Sequence, residues 1–226
     1  MTRLPWRPPA DMCLPLVSTS LAGLFSAEDF RAARARRLIV PFRYDETTRL
    51  LLRRLKFHDA EEYAHVFAGP MADALRLAGA AAGRPLPGDA RVLPVPLAAG
   101  RRRERGFNQA QRIARPLAGL LGFPIDETVL RRRRETARQT QLDYAARREN
   151  IRSAFAASAG SCRGAFFLLV DDIATSGLTL NEAAATLEAA GARGVLCLAA
   201  ASPRQPEALP PPERSAAVRL CYNLLA

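Results

Sequence analysis

Apolar and polar positions fall into two kinds of pattern along the chain. The first third is helical in period. In "FRYDETTRLLLRRLKFHD", Leu50, Leu51, Leu52 and Leu55 share one apolar face, which predicts a helix. "EEYAHVFAGPMADALRLAGAAAG" continues helical, with a break expected at Gly69-Pro70. Upstream, "SAEDFRAARARRLIV" predicts a short helix capped by Ser26. From residue 91 onward, short apolar runs alternate with helical stretches. "RVLPVPL" predicts a strand whose prolines place it at a sheet edge or terminus. "AAGRRRERGFNQ" predicts a Gly/Arg loop, "AQRIARPLAGLLG" a helix ended by Gly122, and "IDETVLRRRR" another strand. "ETARQTQLDYAARRENIRSAF" is polar and loop-rich. Phe166 to Val170 then predicts a buried strand, followed by a helix through Ala190 that stops at Gly191, and by the strand "GVLCLAAAS". Strands alternating with helices predict an α/β fold, a twisted parallel sheet with helices on both faces.

The chain has 226 residues, enough for one α/β domain with an appendage. Residues 1–40, Pro-rich and then Ala- and Arg-rich, are expected to form an N-terminal extension, and 41–226 the main domain. No run approaches the roughly 18 apolar residues of a membrane span. Pro5, Pro8, Pro9 and Asp11 interrupt the N-terminus where a signal peptide needs a clean apolar core. The expectation is a cytoplasmic protein without membrane insertion.

Charge changes the picture. The formal net charge is +11, and almost all the basic charge is arginine, Lys56 being the one lysine. Arginine forks phosphates bidentately, which suits nucleic acid or phosphorylated ligands, while a general bias toward Arg and Ala explains the excess equally well. The cysteines, Cys13, Cys162, Cys197 and Cys221, form no CxxC pair, so free thiols and no zinc are expected. His58 and His65 have no acidic partner pattern and are expected at the surface or in helix packing.

The strand at Phe166 ends in two adjacent acids, Asp171 and Asp172. Two like charges gain nothing by folding together unless something cationic or hydroxyl-bearing sits between them. The turn that follows, Ala174, Thr175, Ser176, Gly177, Leu178 and Thr179, supplies small residues, hydroxyl donors and a helix N-terminus, the ingredients of a phosphate cup at the carboxyl end of a strand. Carboxylates accept hydrogen bonds from a vicinal diol, so phosphate beside diol describes a ribose 5-phosphate. The alternative is a capping aspartate and a hydroxyl-rich turn with no ligand.

"LLVDDIATSGLT" resembles the phosphoribosyl pyrophosphate (PRPP) motif of type I phosphoribosyltransferases. "RLKF" at 54–57, "VLPVPLAAGRRRERGFNQA" at 92–110 and "RQTQLDYAARRENIRSAF" at 138–155 are similar to the ComF family of competence-associated proteins, which includes GntX-like members. The resemblance covers about residues 40 to 202. It implies the phosphoribosyltransferase fold with a small hood, and PRPP bound with Mg2+ through Asp171 and Asp172 without a metal site made of protein ligands alone. It also implies a transfer of phosphoribosyl to an acceptor. In that fold the loop after the first core strand faces the pyrophosphate, which places Arg101, Arg102, Arg103 and Arg105 there. It implies a mobile catalytic loop at 135–150, with Arg138, Gln139 and Arg148 as contacts, while Arg148 and Asn150 serve equally well as structural pins. Competence membership implies single-stranded DNA and competence proteins as partners, and a binding or sensing role as the alternative to catalysis. The arginine clusters 101–105 and 131–134 are expected to rim the pocket in part and to face outward in part. The sequence departs from the family in having only Cys13 where most members open with a four-cysteine zinc ribbon, and Thr175-Ser176 where the family usually has a Thr-Thr pair.

Overall fold

The computed structural model describes residues 18–20, 37–55, 60–81, 85–133 and 151–203. Its centre is a sheet of order β1-β2-β8-β7-β4, made by β1 (Ser18–Ser20), β2 (Arg37–Ile39), β4 (Arg91–Pro94), β7 (Phe166–Ile173) and β8 (Gly194–Ser202). β3 (Phe42–Arg43) pairs with β8 just beyond β2. β2, β3, β8, β7 and β4 run parallel, and β1 joins β2 antiparallel. "LIV" at 38–40, expected to continue a helix, instead takes its strand place because Leu38 and Ile39 pair with Cys197 and Leu198.

Alternation along the strands sorts two cores onto the two faces of the sheet. Leu93, Phe167, Leu169, Cys197 and Ala199 pack on one side with α6 (Leu178–Ala189). Val92, Leu168, Val170, Leu198 and Ala200 pack on the other with α1 (Glu46–Arg54), α2 (Ala60–Ala81) and α4 (Gln109–Leu121). Both flanks are covered, which is why β7 and β8 read as nearly continuous apolar runs. β4 is the edge strand that its prolines require, its outer side meeting a single parallel bridge from Val92 to Ile125.

Four expectations are corrected. α2 runs unbroken through Gly69 and Pro70, since the flanking alanines, Phe67, Met71 and Leu75 bury its apolar face and outweigh the amide bond that proline removes. On α1, Leu52 and Leu55 are buried, but Leu50 is 52% exposed, so the four leucines do not share one buried face. The Gly/Arg stretch after β4 is helical, α3 (Ala99–Arg105), consistent with the high helix propensity of Arg and Ala. Finally, β5 (Leu130–Arg132) stays out of the main sheet and pairs antiparallel with β6 (Phe155–Ala157) as a separate hairpin. Its partner lies beyond the 134–150 segment, so no local pattern announces the pairing. A short α5 (Ala159–Cys162) leads into β7.

Candidate functional site

The site begins where β7 ends. The strand extends through both aspartates to Ile173, three residues further than the apolar pattern suggests, because Asp171 and Ile173 still pair with Ala199 and Ala201 of β8. Ala174 N–H donates to Ala201 O at 2.9 Å and closes the strand. The chain then turns through Gly177, whose φ of +73° favours glycine, straight into α6. The N-cap of α6 is Gly177, which brings no capping side chain, and the first turn of the helix has no acidic residue. Leu178 and Leu180 are buried in the core and fix the helix start, Ala174 and Ser176 are buried, Thr179 is half-buried, and Thr175 is exposed.

The two aspartates are half-buried. One oxygen of each accepts a backbone amide: Asp171 Oδ1 from Asp172 N–H and Asp172 Oδ1 from Ile173 N–H, both at 2.9 Å. Burial, then the Asp172 charge and a hydrogen bond between the two carboxyl groups, push Asp171 well above the usual carboxylate range, with the Asp172 backbone amide and then Arg132 opposing. The pair is therefore poised for hydroxyl donors or a cation.

β4 brings the second wall. Val95 N–H donates to Val170 O at 2.8 Å, so the exit of β4 lies beside the residue preceding Asp171. α3 starts four residues later. Arg101 is half-buried, Arg102 and Arg103 are exposed, and Arg105 closes the helix with its side chain outside the described residues. Gly106, at φ +74°, ends α3 in the left-handed conformation and returns its N–H to Arg102 O at 2.8 Å. Asn108 caps α4 by accepting from Ala110 N–H at 3.1 Å, and its Nδ2 donates to Val95 O at 2.9 Å. Phe107 lies beneath the Arg112 guanidinium, 4.3 Å from its centroid. Gly106, Phe107 and Asn108 thus join α3 to α4 and hold both against the end of β4.

The hairpin makes the third wall. Arg132 is half-buried, and the charges of Arg101 and Asp171 both act on it. Of Arg131, Arg132 and Arg133, it alone is withdrawn from solvent. The strand period alone contained that signal, since Arg132 shares a face with buried Leu130. Arg138, Gln139, Arg148 and Asn150 lie outside the described residues, as do His58, Cys13 and Cys221. His65 is exposed, and Cys162 and Cys197 are free, buried thiols. Among the described residues, no group of three or more His, Cys, Asp or Glu is placed to hold a metal ion, and no helix is long and apolar enough to cross a membrane.

A parallel sheet flanked by helices, with an acid pair and a glycine turn at the end of an interior strand, has the architecture of a type I phosphoribosyltransferase. The family model "Phosphoribosyl transferase domain" matches residues 103–218. The chain belongs to this family, and within it to the ComF group. "DNA utilization protein YhgH" of Salmonella typhi is 35% identical over 159 residues, covering 70% of this chain and 69% of that protein. "Competence protein F" of Haemophilus influenzae is 29% identical over 157 residues, covering 69% and 68%. Among solved structures, the glutamine phosphoribosylpyrophosphate amidotransferase from B. subtilis aligns with a TM-score of 0.35 and 22% identity, over 57% of this chain and 26% of that one.

Proposed function

We propose that the protein binds PRPP, or a ligand built on ribose 5-phosphate, at the carboxyl end of β7 and transfers the phosphoribosyl group to an acceptor. One observation carries the reading. The paired carboxyls of Asp171 and Asp172 adjoin a helix start whose N-cap is a glycine, without a capping side chain or an acidic residue in the first turn. In this reading the turn from Ala174 to Thr179 takes the 5′-phosphate, and Asp171 and Asp172 accept the ribose hydroxyls. Diol donors favour the ionised form of Asp171 that burial disfavours, so the ligand relieves what the fold leaves uncompensated. Departure of pyrophosphate leaves developing positive charge on the sugar, and a carboxylate pair beside it stabilises that charge.

Mg2+ fits this site as a companion of the ligand. Two carboxyls alone are too few for a dedicated cage, and such an ion keeps phosphate oxygens and water among its ligands. Bound, it would neutralise charge on the departing pyrophosphate. Asp171 and Asp172 would be its protein-side neighbours.

Calorimetric titration with ribose 5-phosphate tests the reading. Saturable one-to-one binding is expected, and no heat of binding at millimolar ligand overturns it. A second role is favoured by the names of the relatives, one a DNA utilization protein and one a competence protein, together with exposed Arg102, Arg103, Arg131 and Arg133. In it, the outer face of the same domain contacts single-stranded DNA through phosphates, with no base preference.

A further inference from the structure

Among the described residues, Ser153 alone combines a side chain with a left-handed backbone, at φ +54°. A Cβ disfavours that conformation, so the surroundings must hold it. The holder stands on another element. Ser153 N–H donates to Oε1 of Glu182, on α6, at 2.7 Å and twenty-nine residues further along the chain. A carboxylate acceptor makes this bond stronger than one between neutral groups.

The turn at Ser153 decides how the chain enters β6. Ala154 N–H donates back to Ile151 O at 3.0 Å, and Ala154 O accepts from Arg133 N–H at 2.8 Å, just beyond β5. From there Phe155 to Ala157 pair in register with Arg132 to Leu130. Ile151, Ala154 and Phe155 are buried in the core that also holds Leu178, Ala183 and Ala184 of α6. Apolar packing of this kind presses the hairpin onto the helix without fixing a direction. The bond from Ser153 to Glu182 supplies the direction, because it joins one atom of the hairpin to one atom of the helix. Glu182 follows Leu178, the first residue of α6, by four positions, which is about 6 Å along the helix axis. A single helical turn therefore separates the start of α6, where the phosphate is proposed to bind, from the anchor of the hairpin. A ligand that fixes the start of α6 also fixes Glu182, and by reciprocity a hairpin held through Glu182 favours the ligand.

We propose that Glu182 is a positioning residue for the ribose-phosphate site. Its bond to Ser153 docks the β5–β6 hairpin on α6 in one geometry, and it couples that dock to ligand binding at Ala174–Thr179. The inference rests on the ligand class proposed above and adds a residue outside the site that sets the affinity within it.

The test combines calorimetric titration with ribose 5-phosphate and residue-level hydrogen exchange of the full chain. The Ala154 amide reports the dock, and the Val92 amide of β4 serves as the reference for global stabilisation. In the wild type, saturating ribose 5-phosphate should slow exchange at Ala154 about tenfold more than at Val92. Glu182→Ala should abolish that excess and weaken ribose 5-phosphate roughly three- to tenfold. Glu182→Gln, which keeps a neutral oxygen acceptor, should be intermediate in both. Ser153→Gly adopts the left-handed turn without help, so adding it to Glu182→Ala should restore part of the lost affinity. Wild-type affinity for ribose 5-phosphate in Glu182→Ala overturns this inference alone and reduces the bond to a structural one. Failure of the wild type to bind ribose 5-phosphate overturns the proposed ligand class and this inference with it. If Glu182→Ala does not fold, Glu182→Gln decides: a smaller excess at Ala154 with weaker binding sustains the inference, and wild-type values overturn it.

Discussion

Asn108 joins the end of β4 to the start of α4: its Nδ2 donates to Val95 O at 2.9 Å while its Oδ1 accepts from Ala110 N–H at 3.1 Å. Both bonds are buried, and Val95 is itself bonded to Val170, one residue before the acid pair. Asn108→Ala removes the cap and leaves a buried carbonyl without its side-chain donor. A loss of about 1–3 kcal/mol is expected. Asn108→Asp, which keeps the cap and loses the donor, should fall between. Urea midpoints at constant slope measure both, and an alanine variant as stable as wild type contradicts the linkage.

Gly194 opens β8 against Phe166. A Cβ at this position would stand 2.7 Å from the Phe166 ring, closer than real Cβ contacts come. Gly194→Ala should therefore force the ring aside and cost about 1–3 kcal/mol, and Gly194→Ala with Phe166→Leu should recover much of it. Thermal melting of the three proteins is sufficient. Additive effects in the double variant would show that the ring is not the obstacle.

The pH dependence of stability follows from Asp171. Its folded-state value lies above the unfolded one because of burial first and Asp172 next, so the folded chain binds more protons. The contribution is fully present below about pH 4, where the unfolded carboxyl titrates, and is lost as pH rises through the raised folded value. Asp171→Asn cannot titrate, so relative to wild type it should gain stability as pH climbs from about 4 to neutrality. Denaturation midpoints of both proteins across that window check it, and parallel curves would refute it.

Contacts with single-stranded DNA should be electrostatic and separate from the ligand pocket. Arg131→Gln with Arg133→Gln removes two exposed cations and should flatten the log–log salt dependence of binding by up to about 1.4, at roughly 0.7 per phosphate contact. Asp171→Asn with Asp172→Asn should leave the slope unchanged. Oligonucleotide titration at several salt concentrations distinguishes the cases. Joint loss of DNA and PRPP binding in the acid-pair variant would mean that one pocket serves both.

The parts of this molecule that are legible in sequence are those decided locally. β7, the turn at Gly177, the cap at Asn108 and the stop at Gly122 each follow from residues within a few positions of one another. What the sequence hides depends on partners far along the chain. β5 pairs with a strand more than twenty residues away, so its exclusion from the main sheet has no local signature, although the strand period already puts Arg132 on the face of Leu130. Pro70 misleads for the opposite reason. A strong local breaker is overridden by burial against β8 and α4 that only the fold supplies. Ala99 to Arg105 form a helix where glycine and charge suggested a loop, and its turn leaves Arg101 half-buried while Arg102 and Arg103 are exposed.

The central claim, that the acid pair and the glycine turn of β7 form a ribose-phosphate site, is tested most directly by thermal stability in the presence of PRPP and Mg2+. At a hundredfold excess over the dissociation constant, ligand binding should stabilise the wild type by about 2.7 kcal/mol. The Asp171→Asn, Asp172→Asn double variant should melt at the same temperature with and without ligand. Equal stabilisation of the two proteins by PRPP would contradict the claim, because the carboxyls would then take no part in holding the sugar.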